Sequence, residues 1–219
     1  MKSLIFDSGA IITLALNDLL YILEPLKKLF RGDFYITEAV KEELIKNPLK
    51  IKRFMLEALM IKKLLEEGIL KVFPNNSNLE EEEKRILNLA NTTFTTDGEF
   101  IKVLDKGETS CLALYNLIKS DALAIDERSL RMLCEMPKNL HKLFESKFHR
   151  KVIANEENYL FFKNFKVIRS SELVFIAYKN KIINLPTGKS EAIEALFYAA
   201  KFKGCAISRN EIETAKRLI

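Results

Sequence analysis

The sequence predicts an α/β protein in which helices enclose a mainly parallel sheet, and three observations support this. The apolar runs Leu4–Phe6 and Ala122–Ile125 have the length and composition of strands buried on both faces. Helical patterns separate these and the other strand-like runs, as in a parallel sheet. With 48% hydrophobic residues and only seven glycines and five prolines in 219 residues, we expect one domain over 1–219 with no long linker.

The elements of the N-terminal half follow from apolar periodicity and capping signals. We expect strands over 4–6, 34–36 and 69–73, and helices over 8–16, 19–30, 38–46, 49–67 and 79–90. Thr37 can cap the helix that Asn47-Pro48 ends, and Gly68 closes the next helix. Residues 93–106 show no clear pattern and are predicted to form a loop.

The C-terminal half continues the alternation. A helix over 107–119 carries an apolar stripe and precedes the strand 122–125; a helix through Cys134 then follows, which Pro137 should end. The last strand is predicted over 165–168, with helices over 171–179, 190–202 and 210–218. The segments 47–94 and 137–164 add helical insertions, and 187–219 is expected to be a C-terminal helical segment. Within it, Thr187-Gly188-Lys189-Ser190 lacks the first glycine of a phosphate-binding loop and is interpreted as a turn and helix cap.

Composition and charge narrow the class of protein. The three cysteines are scattered and have no partners at metal-ligand spacing, as in a cytoplasmic protein with reduced thiols. No apolar run approaches the length of a membrane span and no signal-peptide profile is present, so we expect no membrane association. The net charge is +5. A basic surface around an acidic pocket would suit a polyanionic substrate, and an ordinary Lys-rich surface is the alternative.

Four acidic residues occur at predicted strand ends or helix starts. Asp7 and Asp126 follow strands, whereas Glu43 and Glu108 lie on helices. Because open α/β sheets bind ligands outside the carboxyl ends of their strands, we expect all four in one crevice. Clustered carboxylates repel each other, and a hard cation such as Mg²⁺ or Mn²⁺ would relieve this repulsion. Such ions can activate water and stabilise the leaving oxygen of a phosphodiester.

Each acid also has a purely structural interpretation. Asp7 can cap the helix that starts at Ser8, and Asp126-Glu127 can cap the helix that follows them. The helix dipole would stabilise Glu108, and Glu43 could be an ordinary surface residue. Only the recurrence of all four in the same context favours a functional site.

Four segments in order carry a resemblance to a known family. They are Leu4-Ile5-Phe6-Asp7-Ser8-Gly9-Ala10-Ile11-Ile12, Ile36-Thr37-Glu38-Ala39-Val40-Lys41-Glu42-Glu43-Leu44, Leu104-Asp105-Lys106-Gly107-Glu108 and Ala124-Ile125-Asp126-Glu127-Arg128-Ser129-Leu130-Arg131. The set resembles the PIN-domain family of metal-dependent ribonucleases, and 166–173 resembles that family's last strand and helix.

The resemblance implies a three-layer α/β/α sandwich. It implies Asp7, Glu43, Glu108 and Asp126 as catalytic acids, of which Asp7, Glu108 and Asp126 would chiefly bind Mg²⁺ or Mn²⁺. Ser8 and Glu127 would support them. It also implies an RNA substrate and, as in many relatives, a toxin role with a cognate antitoxin; a homodimer is a further expectation.

A basic amphipathic stretch lies in the second insertion. Lys142, Lys147 and Arg150 are candidates for binding RNA phosphates. The alternative is an insertion whose apolar face simply packs on the body of the protein. The sequence therefore predicts a divalent-metal-dependent endoribonuclease. The competing hypotheses are a PIN-like RNA- or protein-binding module with little or no turnover, and a toxin component of a toxin–antitoxin pair.

Overall fold

The central sheet has five strands, all parallel. The computed structural model of the chain describes residues 2–185 and 189–218. The strands are β1 (Ser3–Phe6), β2 (Asp33–Thr37), β3 (Leu70–Phe73), β4 (Phe94–Thr96), β5 (Glu99–Phe100), β6 (Ala122–Ala124), β7 (Ile153–Ala154) and β8 (Val167–Ile168). The helices are α1 (Ser8–Ala15), α2 (Leu23–Phe30), α3 (Glu38–Lys41), α4 (Met55–Glu66), α5 (Ser77–Asn91), α6 (Lys106–Ile118), α7 (Arg128–Glu135), α8 (Pro137–Phe148), α9 (Glu157–Phe162), α10 (Ser170–Lys179), α11 (Lys189–Phe202) and α12 (Arg209–Lys216).

Strand order in the central sheet is β3-β2-β1-β6-β8. From β1 the chain winds outward through β2 and β3, and then returns to the other side of β1 with β6. The strand order therefore reverses between β1 and β6, which is where doubly wound sheets open a ligand-binding crevice. Phe6 is in register with Ala124, and Asp7 N donates to Ala124 O (3.0 Å). The predicted α/β class and parallel sheet are confirmed.

The central strand is anchored by burial. Ile5 and Phe6 have no solvent exposure, and the ring of Phe6 packs edge-to-face on Phe34 with centroids 5.1 Å apart. Burying side chains of this size contributes roughly 1.5–3 kcal/mol each. The end of β1, and with it Asp7, is thus anchored in the hydrophobic core.

Two predicted helices are shorter in the structure. The helix predicted over 49–67 begins only at Met55, because Ile51 has an extended backbone (φ −114°) between two 3₁₀ turns, Pro48–Lys50 and Lys52–Phe54. The helix predicted over 19–30 starts with a 3₁₀ turn, Leu20–Ile22. Before α4, Ile51 and Phe54 therefore line a surface groove and do not continue the apolar face of that helix.

The helix predicted over 38–46 changes type along its length. Thr37 caps it as predicted, since its Oγ1 accepts from Val40 N (3.2 Å). After α3 the chain widens into a π-helical turn over Glu42–Lys46, closed by Asn47 N donating to Glu42 O (3.0 Å). Such turns occur frequently at functional sites, and this one carries Glu43.

A second, antiparallel sheet of strand order β5-β4-β7 replaces the first half of the loop predicted over 93–106, whereas residues 101–105 form no regular element, as predicted. The hairpin turns at Asp97 (φ 50°) and Gly98 (φ 83°), the left-handed pair that a tight hairpin requires. Pro137 also has a second role that was not predicted. The helix before it ends at Glu135 as expected, but Pro137 then occupies the first position of α8.

One strand and one helix of the first insertion, 47–94, join the body of the protein. Strand β3 pairs with β2 at the edge of the central sheet, and α5 packs on α6. The buried apolar residues form one contiguous cluster. The predicted helices of the C-terminal segment are present as α11 and α12, whereas the predicted turn at Thr187 and Gly188 lies outside the described residues.

No single described helix is long and apolar enough to cross a membrane. Only α1 taken together with Leu20–Phe30, across a bend of 115°, has the necessary length and composition.

Candidate functional site

Asp7 follows β1 directly and is only 4% exposed. Its Oδ2 accepts a hydrogen bond from Gly9 N (3.1 Å), so the capping role considered for Asp7 is confirmed. Burial raises the pKa of Asp7 to about 7; the Gly9 N–H lowers it, and the negative charges of Glu43 and Asp105 raise it. Asp7 therefore combines a structural contact with an uncompensated buried charge.

Glu43 reaches from the π-helical turn to the first turn of α6. A Cβ built on Gly107 would lie 2.6 Å from Glu43 Oε1, so the observed position of this carboxylate requires a glycine there. Burial raises the pKa of Glu43, the Ser8 hydroxyl lowers it by hydrogen bonding, and the charge of Asp105 raises it. Glu43 thus stands between the starts of α1 and α6, beside Asp7 and the Ser8 hydroxyl.

Glu108 forms a reciprocal cap with Asp105 at the start of α6. Asp105 N donates to Glu108 Oε2 (2.8 Å), and Glu108 N donates to Asp105 Oδ1 (3.0 Å). Burial raises the pKa of Glu108 to about 8; the Asp105 N–H lowers it, and the charges of Asp105, Glu127 and Asp7 raise it. Glu108 is therefore part of the same acidic group as Asp7.

Asp126 lies two residues after β6 and is only 2% exposed. Its two oxygens accept from Ser170 N (2.8 Å) and Ser170 Oγ (2.6 Å). An added Cβ on Gly9 would lie 3.3 Å from Asp7 Oδ2 and 3.7 Å from Asp126 Cβ, so the two aspartates flank this glycine. The structure brings Asp126 to the crevice but binds its carboxylate to the start of α10.

Two further acids complete the group. Glu127 caps α7, with its Oε2 accepting from Leu130 N (2.7 Å), and its exposed carboxylate raises the pKa of Glu108. Asp105 is not among the four predicted acids, yet its charge acts on Asp7, Glu43 and Glu108 alike. The spacing Asp105-x-x-Glu108 is the sequence signal of a reciprocal cap and identifies this residue.

The crevice has the donors of a hard-cation site but not a finished arrangement of ligands. Its side chains offer only carboxylate and hydroxyl oxygens, and no described Lys, Arg or His forms an ion pair with the four predicted acids. Mg²⁺ and Mn²⁺ prefer such ligands. Within the described residues, however, no three His, Cys, Asp or Glu side chains stand together ready to hold a metal ion. The carboxylates do not face one another as ligands because Asp7, Glu108 and Asp126 each accept a hydrogen bond from a backbone N–H.

Buried thiols lie beside the acids. Cys111 Sγ donates to Phe6 O (3.6 Å), and burial together with the charges of Asp7, Glu43 and Glu108 raises its pKa. Burial and the charge of Asp126 likewise raise the pKa of Cys205. All three cysteines are free and buried, so these thiols stay protonated and serve as packing groups.

The predicted basic stretch forms α8 and the residues after it. Its apolar face is buried through Leu140 and Phe144, which confirms the packing interpretation. Lys142, Lys147 and Arg150 are exposed, and Arg150 is paired with Asp97 of the hairpin. No hydrogen bond or ion pair among the described residues joins these three to the acidic crevice.

Comparisons with family models, with curated proteins and with solved structures each find no match to this chain. The resemblance to the PIN-domain family therefore stays a prediction from its four motifs.

Proposed function

We propose that this chain is a divalent-metal-dependent endoribonuclease with a PIN-like three-layer fold. One observation carries the proposal: Asp7, Glu43, Asp105 and Glu108 interact with each other at the end of the central strand, with no described cation to balance them. Holding several carboxylates together without a cation costs stability, so such a group is typical of a functional site.

The donor set fits Mg²⁺ or Mn²⁺. Asp7, Glu43 and Glu108 would hold the ion, with Asp126 joining if its carboxylate turns from Ser170. A bound cation of this kind supplies Lewis-acid activation of water and stabilises the leaving oxygen of a phosphodiester.

The protein's own groups position these ligands and manage protons. The Ser8 hydroxyl orients Glu43, and the backbone N–H of Asp105 fixes one oxygen of Glu108. With a pKa of about 8, Glu108 keeps its proton at neutral pH in the metal-free protein. A carboxyl with a pKa in this range is also suited to general acid–base work at a substrate oxygen.

RNA as the substrate rests on charge and on the resemblance. The chain is basic overall (+5), although several of its acids are gathered in one crevice. The surface outside the crevice is therefore more basic than the net charge of +5 suggests, and such a surface favours binding of a polyanion. An antitoxin or other protein partner is a further proposal from the resemblance. A cytoplasmic location, inferred from the scattered cysteines, and a homodimer are separate proposals.

A second candidate is a PIN-like module that binds RNA or protein without turnover. Its specific support is the double hydrogen bond between Asp126 and Ser170, together with the absence of three ready ligands among the described side chains. In this hypothesis the carboxylates hold the starts of α1, α6 and α10 and bind no cation.

The deciding experiment is cleavage of single-stranded RNA by the full chain with Mn²⁺, with Mn²⁺ plus chelator, and with Asp7→Asn. Cleavage lost in both controls supports the nuclease. Cleavage that survives both would overturn the metal mechanism, and intact RNA binding with no cleavage under any condition would favour the module.

Gly107→Ala tests the position of Glu43 without removing a carboxylate. The new methyl group would displace only the flexible end of Glu43, so we expect RNA cleavage to fall by roughly 10–100-fold, the scale of a small misplacement. Unfolding by urea should show stability unchanged or higher by about 0.5–1 kcal/mol, since alanine suits a helix better than glycine.

The matched control for Gly107→Ala is the same change in a Glu43→Gln background. If displacement of the carboxylate is the cause, the glycine substitution should have little further effect there. Equal losses in both backgrounds would contradict the role of Glu43.

Neutralising the basic stretch tests its part in RNA binding. Replacing Lys142, Lys147 and Arg150 with Gln should weaken binding equally for all RNA sequences and reduce the salt slope by about one for each lost phosphate contact. Replacing Lys28 and Lys84, exposed elsewhere on the chain, provides the control. Titrations at several salt concentrations that show identical affinities and slopes would remove this stretch from the RNA interface.

A further inference from the structure

An apolar groove adjoins the acidic crevice and has no role in the proposed chemistry. It has a volume of about 350 Å³, within the range of pockets for small ligands, roughly 300–1,000 Å³. Its apolar lining includes Ile12, Leu44, Pro48, Ile51, Phe54 and Ile61. Glu43 lines the groove as well, so the groove and the crevice share one wall.

One polar group in this apolar lining lacks a partner. Glu57 of α4 lines the groove, and its Oε2 is shielded from solvent without a hydrogen bond from any described residue. A buried acceptor without a donor is destabilising. An occupant that donates N–H groups to Glu57 would remove this cost.

The rim of the groove has the opposite charge. Lys50, Lys52 and Arg53 are exposed in the 3₁₀ turns that carry Ile51 and Phe54, and no described acid pairs with them. The Arg53 guanidinium carbon lies 5.4 Å from the centroid of the Phe54 ring. A basic rim repels a basic peptide, and the ionised side chains of an acidic peptide can only accept hydrogen bonds and so are repelled by Glu57. A single-stranded nucleic acid offers both phosphates for the rim and base N–H groups for the interior.

Among the bases, guanine matches Glu57 best. Its N1–H and N2–H₂ are adjacent donors that a carboxylate accepts with both oxygens. The amino groups of cytosine and adenine have no second donor beside them, and the single imide N–H of uracil is flanked by carbonyl acceptors that a carboxylate repels. Unpaired bases are commonly stacked on aromatic rings and recognised at their Watson–Crick edges, and Phe54 is 38% exposed at the mouth of the groove.

We propose that this groove binds an unpaired guanine of the RNA. The Glu57 carboxylate turns toward the ligand and accepts from its N1–H and N2–H₂, and Phe54 stacks on its ring. Lys52 and Arg53 contact the adjoining phosphates. The inference rests on the proposed function in that the ligand is RNA, and it makes Glu57 the residue that selects the base next to the crevice.

The test is binding in the presence of chelator, so that cleavage plays no part. The probe is a short fluorescent oligouridine with one guanosine, compared with the same oligonucleotide carrying inosine, which lacks the N2 amino group. The full chain should bind the guanosine probe roughly 10-fold more tightly. Glu57→Gln should reduce this ratio to about 1–2-fold by removing one acceptor. Glu66→Gln, an exposed change on the same helix, should keep the wild-type ratio.

Phe54→Ala gives an independent measurement, since it should weaken binding of both probes by roughly 10-fold without changing their ratio. A wild-type chain with no preference, or a Glu57→Gln chain that keeps it, overturns the inference. Tighter binding of a basic amphipathic peptide than of either RNA, lost in Glu57→Gln, would overturn it too and assign the groove to a protein partner.

The experiments distinguish failure of the base site from failure of the nuclease proposal. Cleavage that depends on Asp7 and Mn²⁺ without any guanine preference would leave the nuclease standing and remove only the base site. Guanine preference without cleavage would support the base site and remove the nuclease proposal.

Discussion

Asp7→Asn is expected to reduce Mn²⁺-dependent RNA cleavage by at least ~100-fold, because it removes the charge of the carboxylate at the centre of the acidic crevice. The substitution should leave the fold intact. Asparagine is an equally good helix cap, so the contact with Gly9 N can be kept. Initial rates on one RNA, measured for both chains at saturating Mn²⁺, give the comparison.

The chain offers a matched control in Asp18→Asn. Asp18 is exposed, lies beyond the opposite end of α1, and has a left-handed backbone (φ 56°) that asparagine also tolerates. It should cleave RNA as the wild type does. If Asp7→Asn retained wild-type activity, Asp7 would be no more than a cap and the nuclease proposal would fail.

The parts of the site that could be predicted from sequence are those with a local cause. Asp7 and Asp126 were found because each ends a short apolar run, and a run buried on both faces has few other interpretations. Thr37 was found through the spacing of a helix cap. Asp105 has an equally local signal in its spacing to Glu108, as does the hairpin turn in the dipeptide Asp97-Gly98.

The remaining features depend on contacts that no local pattern encodes. Glu43 reaches the crevice only because the chain widens into a π-helical turn and because Gly107, far along the sequence, leaves space. The bond between Asp126 and Ser170 joins residues 44 positions apart. Glu57 has the sequence context of any charged helix residue, and only the fold shows that it lines the groove with a shielded Oε2.

Stability of the metal-free chain should fall as pH rises from about 5 to about 8. The pKa values of Asp7 (about 7) and Glu108 (about 8) are above their unfolded values of 3.8 and 4.5. The folded state therefore binds more protons than the unfolded state in this window, and raising the pH removes that advantage. We expect a loss of several kcal/mol from the two groups together, with a fall in Tm of about 2–4 °C for each kcal/mol.

Mn²⁺ should reverse this loss, because a cation that binds the ionised carboxylates stabilises only the folded state. Thermal unfolding with and without Mn²⁺ should thus show a larger gain in Tm at pH 8 than at pH 5, where protons compete for the ligands. The shifted pKa of Glu211 does not affect stability in this pH window. Burial raises the pKa of Glu211, but hydrogen bonds from Ser208 and Arg169 outweigh burial and lower it to about 2. The stability that Glu211 contributes is therefore lost only below about pH 4.5. Asp7→Asn is the control and should be more stable than wild type at pH 8 without metal, with a smaller response to Mn²⁺. A Tm that ignores Mn²⁺ at every pH would mean that the acids of the crevice bind no cation, and the non-catalytic module would then be the better account of this chain.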